Sequence, residues 1–178
     1  MAKVILQDVR CSYVFAHQER KDGGFGVQPL VEKGSALHKK LIKIVDKVLV
    51  EKFGQDALKK KARYKLPLRD GDEERDSEEY EGMIFFNANS GKKPGIVNRN
   101  NEPADIDDIE EYCYSGAYFH VSVNIYPFDA KDGGKPGIAV GLNNIMLRKK
   151  GDRLDGSVSA TSEFADFAED DDFEDDDF

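Results

Sequence analysis

GAYFHVSVNIY, residues 116–126, alternates without a break. Ala117, Phe119, Val121, Val123 and Ile125 make one apolar face, while Tyr118, His120, Ser122, Asn124 and Tyr126 make a polar, aromatic one. A period of two with one apolar side marks a half-buried strand. The polar side is the informative one, because a tyrosine there packs into nothing obvious and leaves a flat ring facing solvent.

Outward from that strand the same logic continues. DGGKPG (132–137) is a turn, and IAVGLNNIMLRKK (138–150) a last strand whose alternation changes phase around Gly141 to Asn144, as a bulge causes. VRCSYVF (9–15) alternates too, with Val9, Cys11, Tyr13 and Phe15 on one side and Arg10 and Ser12 on the other. After the KDGG turn, FGVQPLVEK (25–33) reads as a second strand, and its proline places it near an edge. Ser35 stands at the N-cap of the clearest helix, about 36–53, with Leu37, Leu41, Ile44, Val45, Val48 and Leu49 on one face and Lys40, Lys43 and Lys47 away from it. A shorter Lys-rich helix is expected from Gln55 to about Ala62. GMIFFNAN (82–89) reads as a strand, SGKKPG (90–95) as a turn, and Asn98 to Glu111 as a polar, acidic connection. Short strands between turn signals, with one helix early on, predict a mainly β chain folded as a small barrel.

The charge is unevenly placed. The 178 residues carry a formal net charge of −9, but Glu163 to Phe178 holds ten acidic residues and no basic one, so the rest of the chain has a net charge of +1. The acidic balance therefore does not exclude a polyanionic partner. Lys39 to Arg69 has eleven basic and three acidic residues, and Asp70 to Glu81 has eight acidic residues and one arginine. The closing repeat EDDDFEDDDF repels itself and offers little apolar surface to offset the entropy of ordering. This predicts a body, 1–156, and a disordered acidic tail, 157–178.

Catalysis finds no support. His17, His38 and His120 fall in different elements without metal-ligand spacing, and Cys11 and Cys113 form no CxxC pair. There is no P-loop, nucleophile elbow or zinc signature. ADIDDIEEY (104–112) lacks the spaced ligands and turn glycine of a calcium loop, and reads as a solvated acidic loop. No enzyme, cofactor or metal is expected. The absence of a long apolar run argues against a membrane span or signal peptide, and a cytosolic location is the expectation.

What stands out is aromatic residues among basic ones. Binding a single nucleic-acid strand needs cations that track phosphates and rings on which bases stack. Candidates are Tyr118, Tyr126 and Phe86 for stacking, and Lys65, Arg69, Lys92, Lys93, Arg99, Lys131 and Lys135 for phosphates. Equally, a tyrosine on that strand face can cover a second, minor core.

SGAYFHVSVNIYPFDAKDGGKPGIAVGLNNIMLRKKGDRLDG (115–156), followed by an acidic tail ending in phenylalanine, resembles a family of tailed-phage single-stranded DNA-binding proteins, as does GMIFFNANSGKKPGIV (82–97). The resemblance implies an OB-fold, a five-stranded barrel with one main inserted helix. It also implies a protein that coats single-stranded DNA during phage replication and recombination in the cytoplasm of the infected bacterial host. Asp170, Asp171, Asp172, Phe173, Glu174, Asp175, Asp176, Asp177 and Phe178 are then the segment that contacts replication proteins such as polymerase and helicase or primase, and that competes with DNA. A homodimer stays open as a further association. One alternative is an acidic-tailed interaction protein, or a DNA-mimic inhibitor, that binds no DNA itself, and a second is a nuclease or metal-dependent enzyme using the Asp105 to Glu111 cluster.

Overall fold

The computed structural model describes residues 1–154 and 163–169. In chain order the elements are β1 (Ala2–Phe15), β2 (Phe25–Glu32), α1 (Ala36–Phe53), β3 (Arg69–Asp70), α2 (Gly71–Glu74), β4 (Met83–Phe85), β5 (Ala88–Ser90), β6 (Gly95–Val97), α3 (Ile106–Tyr112), β7 (Tyr118–Phe128) and β8 (Gly137–Lys149).

β7 behaves as its alternation demands. Phe119, Val121 and Val123 are fully buried and Ile125 nearly so, while their neighbours face outward. Burying such a side chain contributes roughly 1.5–3 kcal/mol, enough to fix which face turns inward. The strand pairs antiparallel with β1 on one side and β8 on the other. β8 pairs parallel with β5, β5 antiparallel with β2, and β2 antiparallel with β1. Five strands thus close into a ring in the order β1-β2-β5-β8-β7. β4 and β3 extend from β2, and β6 lies beside β8 further along the edge that β5 uses.

α1 starts where Ser35 Oγ accepts from the His38 amide at 3.2 Å and stops at Gly54, whose φ of 91° suits glycine. Its buried residues Leu41, Val45, Val48 and Leu49 join the core shared with the ring strands. The bulge expected in β8 is present. Ser122 faces Asn144 and Val123 faces Leu142, which leaves Asn143 as the extra residue.

Elsewhere the chain departs from its sequence pattern for physical reasons. β1 begins at Ala2 and carries two bulges. Gln7 and Asp8 oppose His120, and Tyr13 and Val14 oppose Val27. Asp8 and Tyr13 adopt positive φ there, and the second bulge turns Tyr13 outward, away from the face of Val9 and Cys11. β2 is not an edge strand. Its far side is shared between β5, at Phe25–Val27, and β4, at Leu30–Glu32, and Pro29 sits in the gap between them. The residues facing that gap are Phe86 and Asn87, which is why GMIFFNAN is two strands rather than one. Residues 55–63 form 3-10 turns instead of an α-helix. The acidic connection contains α3, started by a reciprocal cap in which Asp105 Oδ1 accepts from the Asp108 amide at 2.8 Å and Asp108 Oδ2 from the Asp105 amide at 3.2 Å.

Both cysteines are free thiols. Burial pushes Cys113 up to about 12 and Cys11 further still, with Cys113 adding to the effect. The repeat Asp170–Phe178 and the boundary at 156–157 lie outside the described residues. Within 163–169, Phe164 and Phe167 are exposed around a 3-10 turn at Ala165–Phe167. No described helix is long and apolar enough to cross a membrane.

Candidate nucleic-acid interface

The ring's outer surface carries a row of directly adjacent residues. Lys3 on β1 faces Asn124 on β7, Asn124 faces Gly141 on β8, Gly141 faces Asn89 on β5, and Asn89 faces Gly26 on β2. At about 4.8 Å per strand the row crosses about 19 Å. Its two glycines leave room for side chains from neighbouring positions to lie down. A Cβ on Gly141 would stand 3.3 Å from Cε1 of Tyr126, so that ring extends over the β8 backbone. A Cβ on Gly26 would stand 2.2 Å from Nη2 of Arg20, from the loop after β1. Arg20 donates to Phe25 O at 3.3 Å and to Asn89 Oδ1 at 2.9 Å. Asn124 Nδ2 donates to Asn143 Oδ1 at 3.1 Å, adding a further amide beside the row.

Cations flank the row at two places. The backbone of Lys65 donates to Pro136 O at 2.9 Å and accepts from the Ile138 amide at 3.0 Å, which holds it against the start of β8. Lys135 Nζ donates to Ala62 O at 3.0 Å, and Lys131 lies in the same β7–β8 loop, closed by Gly134 N donating to Lys131 O at 2.8 Å. Lys65, Lys131 and Lys135 therefore gather at the Tyr126 end of β7. Lys92 and Lys93 occupy the exposed turn after β5, where Lys93 and His17 line a groove with Pro94, Ile96, Ala104, Ile106 and Ile109. Lys65, Lys92, Lys93 and Lys131 make no ion pair among the described residues.

Four expected contacts are not placed with this row. Phe86 is 1% exposed inside the main core, so it offers no face to a base. The break between β4 and β5 turns it inward and sends Phe85 into a smaller cluster with Leu30 and Tyr80. Arg69 is committed to Glu74, with Nε and Nη2 within 3.0 Å of Oε1, and its charge is already matched. Tyr118 shares the outer face of β7 but stands at the other end, under Lys149 Nζ 4.4 Å from the ring centroid. Arg99 is exposed in the turn after β6, and no strand pairing brings it to the row.

The second half of β2 is roofed over. Gln28 and Leu30 are buried beneath Tyr80, whose hydroxyl donates to Gln28 Oε1, while Gln28 Nε2 donates to Asn87 Oδ1 at 2.9 Å. Arg75 lies 4.7 Å from the Phe85 ring centroid. The acidic segment 70–81 thus ends the open face, tied down by Lys33 Nζ at 2.6 Å from both Asp70 and Asp72.

Arg20 and Asn89 escaped the sequence reading, and the signal that points to them is a glycine inside each of two strands. Such glycines mark close approach by another group. No cluster of described residues could hold a metal ion.

An exposed tyrosine ring and lysines without an ion pair among the described residues thus border the outer surface of a closed five-strand ring. Residues 2–174 match the family model described as Enterobacter phage Enc34, ssDNA-binding protein. The chain belongs to this family. The single-stranded DNA-binding protein from bacteriophage Enc34 has a similar structure, with a TM-score of 0.69 and 18% identity, covering 91% of this chain and 89% of that one. A structure of that protein in complex with ssDNA superposes with a TM-score of 0.68 over 85% of this chain and 89% of the other, also at 18% identity. The ssDNA-binding protein gp2.5 of bacteriophage T7 shares the fold at 12% identity, with a TM-score of 0.62 over 96% and 97% of the two chains. The p50 protein of Acyrthosiphon pisum secondary endosymbiont phage 1 is 30% identical over 102 residues, which is 57% of this chain. That match spans about half of p50, 52% of its length. The family and these structures are those of single-stranded DNA-binding proteins.

Proposed function

We propose that this protein binds single-stranded DNA with little sequence preference and coats it during phage DNA replication and recombination, in the cytoplasm of the infected bacterial host. The observation that carries this is Tyr126, 38% exposed and laid over Gly141, beside lysines that have no acidic partner among the described residues. A base stacks on the ring, and stacking tolerates any base because every base has a flat face. Phosphates on either side meet Lys131, Lys65 and Lys135, or Lys92 and Lys93, and release their counterions. In the general OB pattern, the face of the second and third ring strands and the loops after the first and fourth bind oligonucleotides. Here those are β2, β5, the loop holding Arg20 and the loop holding Lys131.

The tail has a matching role. Its carboxylates compete with phosphates for the same cations, and the competition is intramolecular, so it is set by effective concentration. DNA that displaces the tail frees Asp170–Phe178 to recruit replication proteins, with an aromatic anchor and carboxylates that steer the encounter.

The test is a titration of labelled oligothymidylate, over a range of salt, with the intact protein and with a chain ending at Thr161. With about four phosphates neutralised, log K against log salt slopes near −3. Truncation tightens binding most at low salt, where screening is weakest. Absence of binding at any salt by either chain would sink this function and leave the DNA-mimic or interaction role of the acidic tail.

A further inference from the structure

We infer that Arg20 is a base-stacking platform whose guanidinium, laid over Gly26 and fixed at its edge by Asn89, takes one nucleobase while Tyr126 takes another. This rests on the outer face being the path of a single strand.

Four other arginines beside the sheet have their head groups committed elsewhere. Arg10 is bound to the carbonyls of Gly116 at 3.0 Å and Asp152 at 2.7 Å, Arg69 to Glu74, and Arg148 to Asp8 at 3.0 Å. Arg75 lies in the roofed cluster over Phe85 and Tyr80. Arg20 differs from Arg69 and Arg148 in its acceptors, since Phe25 O and Asn89 Oδ1 are neutral and fix the group without cancelling its charge. It differs from Arg10 in lying on the row itself, against Gly26 and Asn89. The head group occupies the space a side chain on Gly26 would need. Phe15 stands 5.6 Å from the guanidinium carbon and supports it. A planar cation held in place and partly open to solvent is what stacks on bases, and arginine planes do this as aromatic rings do.

Spacing supports two separate platforms. Gly26 and Gly141 are two strands apart on the row, about 10 Å. Asn89 stands between them, exposed, with its Oδ1 engaged by Arg20 and its Nδ2 directed to no described partner. That amide is a donor placed to meet a base edge between the two stacked bases.

Lysine at this position keeps the charge and removes the plane. Binding of Arg20→Lys and Arg20→Ala is measured against an oligothymidylate and an abasic sugar-phosphate oligomer of the same length, after each variant is shown to unfold at the wild-type temperature. The expected result is that Arg20→Lys binds oligothymidylate about tenfold more weakly, with an unchanged salt slope and unchanged affinity for the abasic strand. Wild-type affinity of Arg20→Lys for oligothymidylate overturns the inference in favour of a point charge. Equal loss on both oligomers overturns it in favour of a role in holding the loop. Failure of the wild-type protein to bind either oligomer overturns the single-strand path itself, a separate result from these.

Discussion

Tyr118 and Tyr126 stand on the same face of β7, eight residues and about 26 Å apart. Around Tyr118 the chain folds back on itself. Lys149 covers the ring, and a Cβ on Gly151 would come within 3.0 Å of Cε2. Tyr114 Oη donates to Gly151 O at 2.8 Å, Arg10 bonds Asp152 O, and Lys150 pairs with Glu111 at 2.7 Å. Around Tyr126 the nearby Lys65 and Lys131 carry no ion pair among the described residues. Both ends offer an aromatic ring and basic residues, so residue type does not separate them. What separates them is whether the cations already have work to do.

Five measurements break or sharpen that contrast. A core ring sets the upper scale. Phe86→Ala is expected to cost about 3–5 kcal/mol of stability, read by chemical denaturation, while the folded fraction keeps its DNA affinity. Next, Tyr126→Ala is expected to weaken oligothymidylate binding by about 1–3 kcal/mol with almost no change in unfolding temperature. A large stability loss with intact affinity would mean the ring is structural. Tyr118→Ala should do the opposite on a smaller scale. It should lose about 0.5–1 kcal/mol of stability with its Lys149 contact, while DNA affinity stays within about twofold. Lys131→Ala is expected to flatten the salt slope by about 0.7, one phosphate contact for a single strand, and Arg69→Ala to leave it unchanged because Glu74 holds that charge. Equal slopes for the two variants would erase the distinction between free and committed cations.

The smallest effect concerns the roof over β2. Hydrogen bonds from Lys33 hold Asp70 and Asp72 below their ordinary value of 3.8. A carboxylate whose folded pKa is lowered contributes stability above its unfolded value and loses it as pH falls through the folded one. Amide exchange in 70–82 should therefore be insensitive to this tie near neutral pH and rise only below 3.8. Both groups are exposed, so the change should be small. Acceleration already at pH 6 would point to a different anchor.

Much of this was readable beforehand, and the reason varies by element. β7, α1 and the bulge in β8 announce themselves because local period alone decides which side is buried. The split partners of β2 and the outward turn of Tyr13 do not, since both depend on strands far away in the chain. Tyr126, Lys65, Lys92, Lys93, Lys131 and Lys135, the proposed contacts, can be named from residue chemistry alone. Arg20 and Asn89 acquire meaning only when β2, β5 and β8 lie side by side. Phe86 misled because two adjacent phenylalanines in an alternating strand should point opposite ways, one of them out. The gap opposite Pro29 instead lets both be buried, in different clusters.

The ring also has an order in time. β1 emerges first, yet one of its partners is β7, and the contact from Asp8 N to His120 Nδ1 spans 112 positions. β5 must likewise wait for β8, which is made last of the ring strands. Until Lys149 has been synthesised, Val4, Leu6 and Val9 have no interior to enter. Long-range pairing of this kind makes closure slow and leaves apolar strands exposed meanwhile. A cell that makes this chain in quantity must keep unfinished copies apart for as long as translation takes to reach the end of β8.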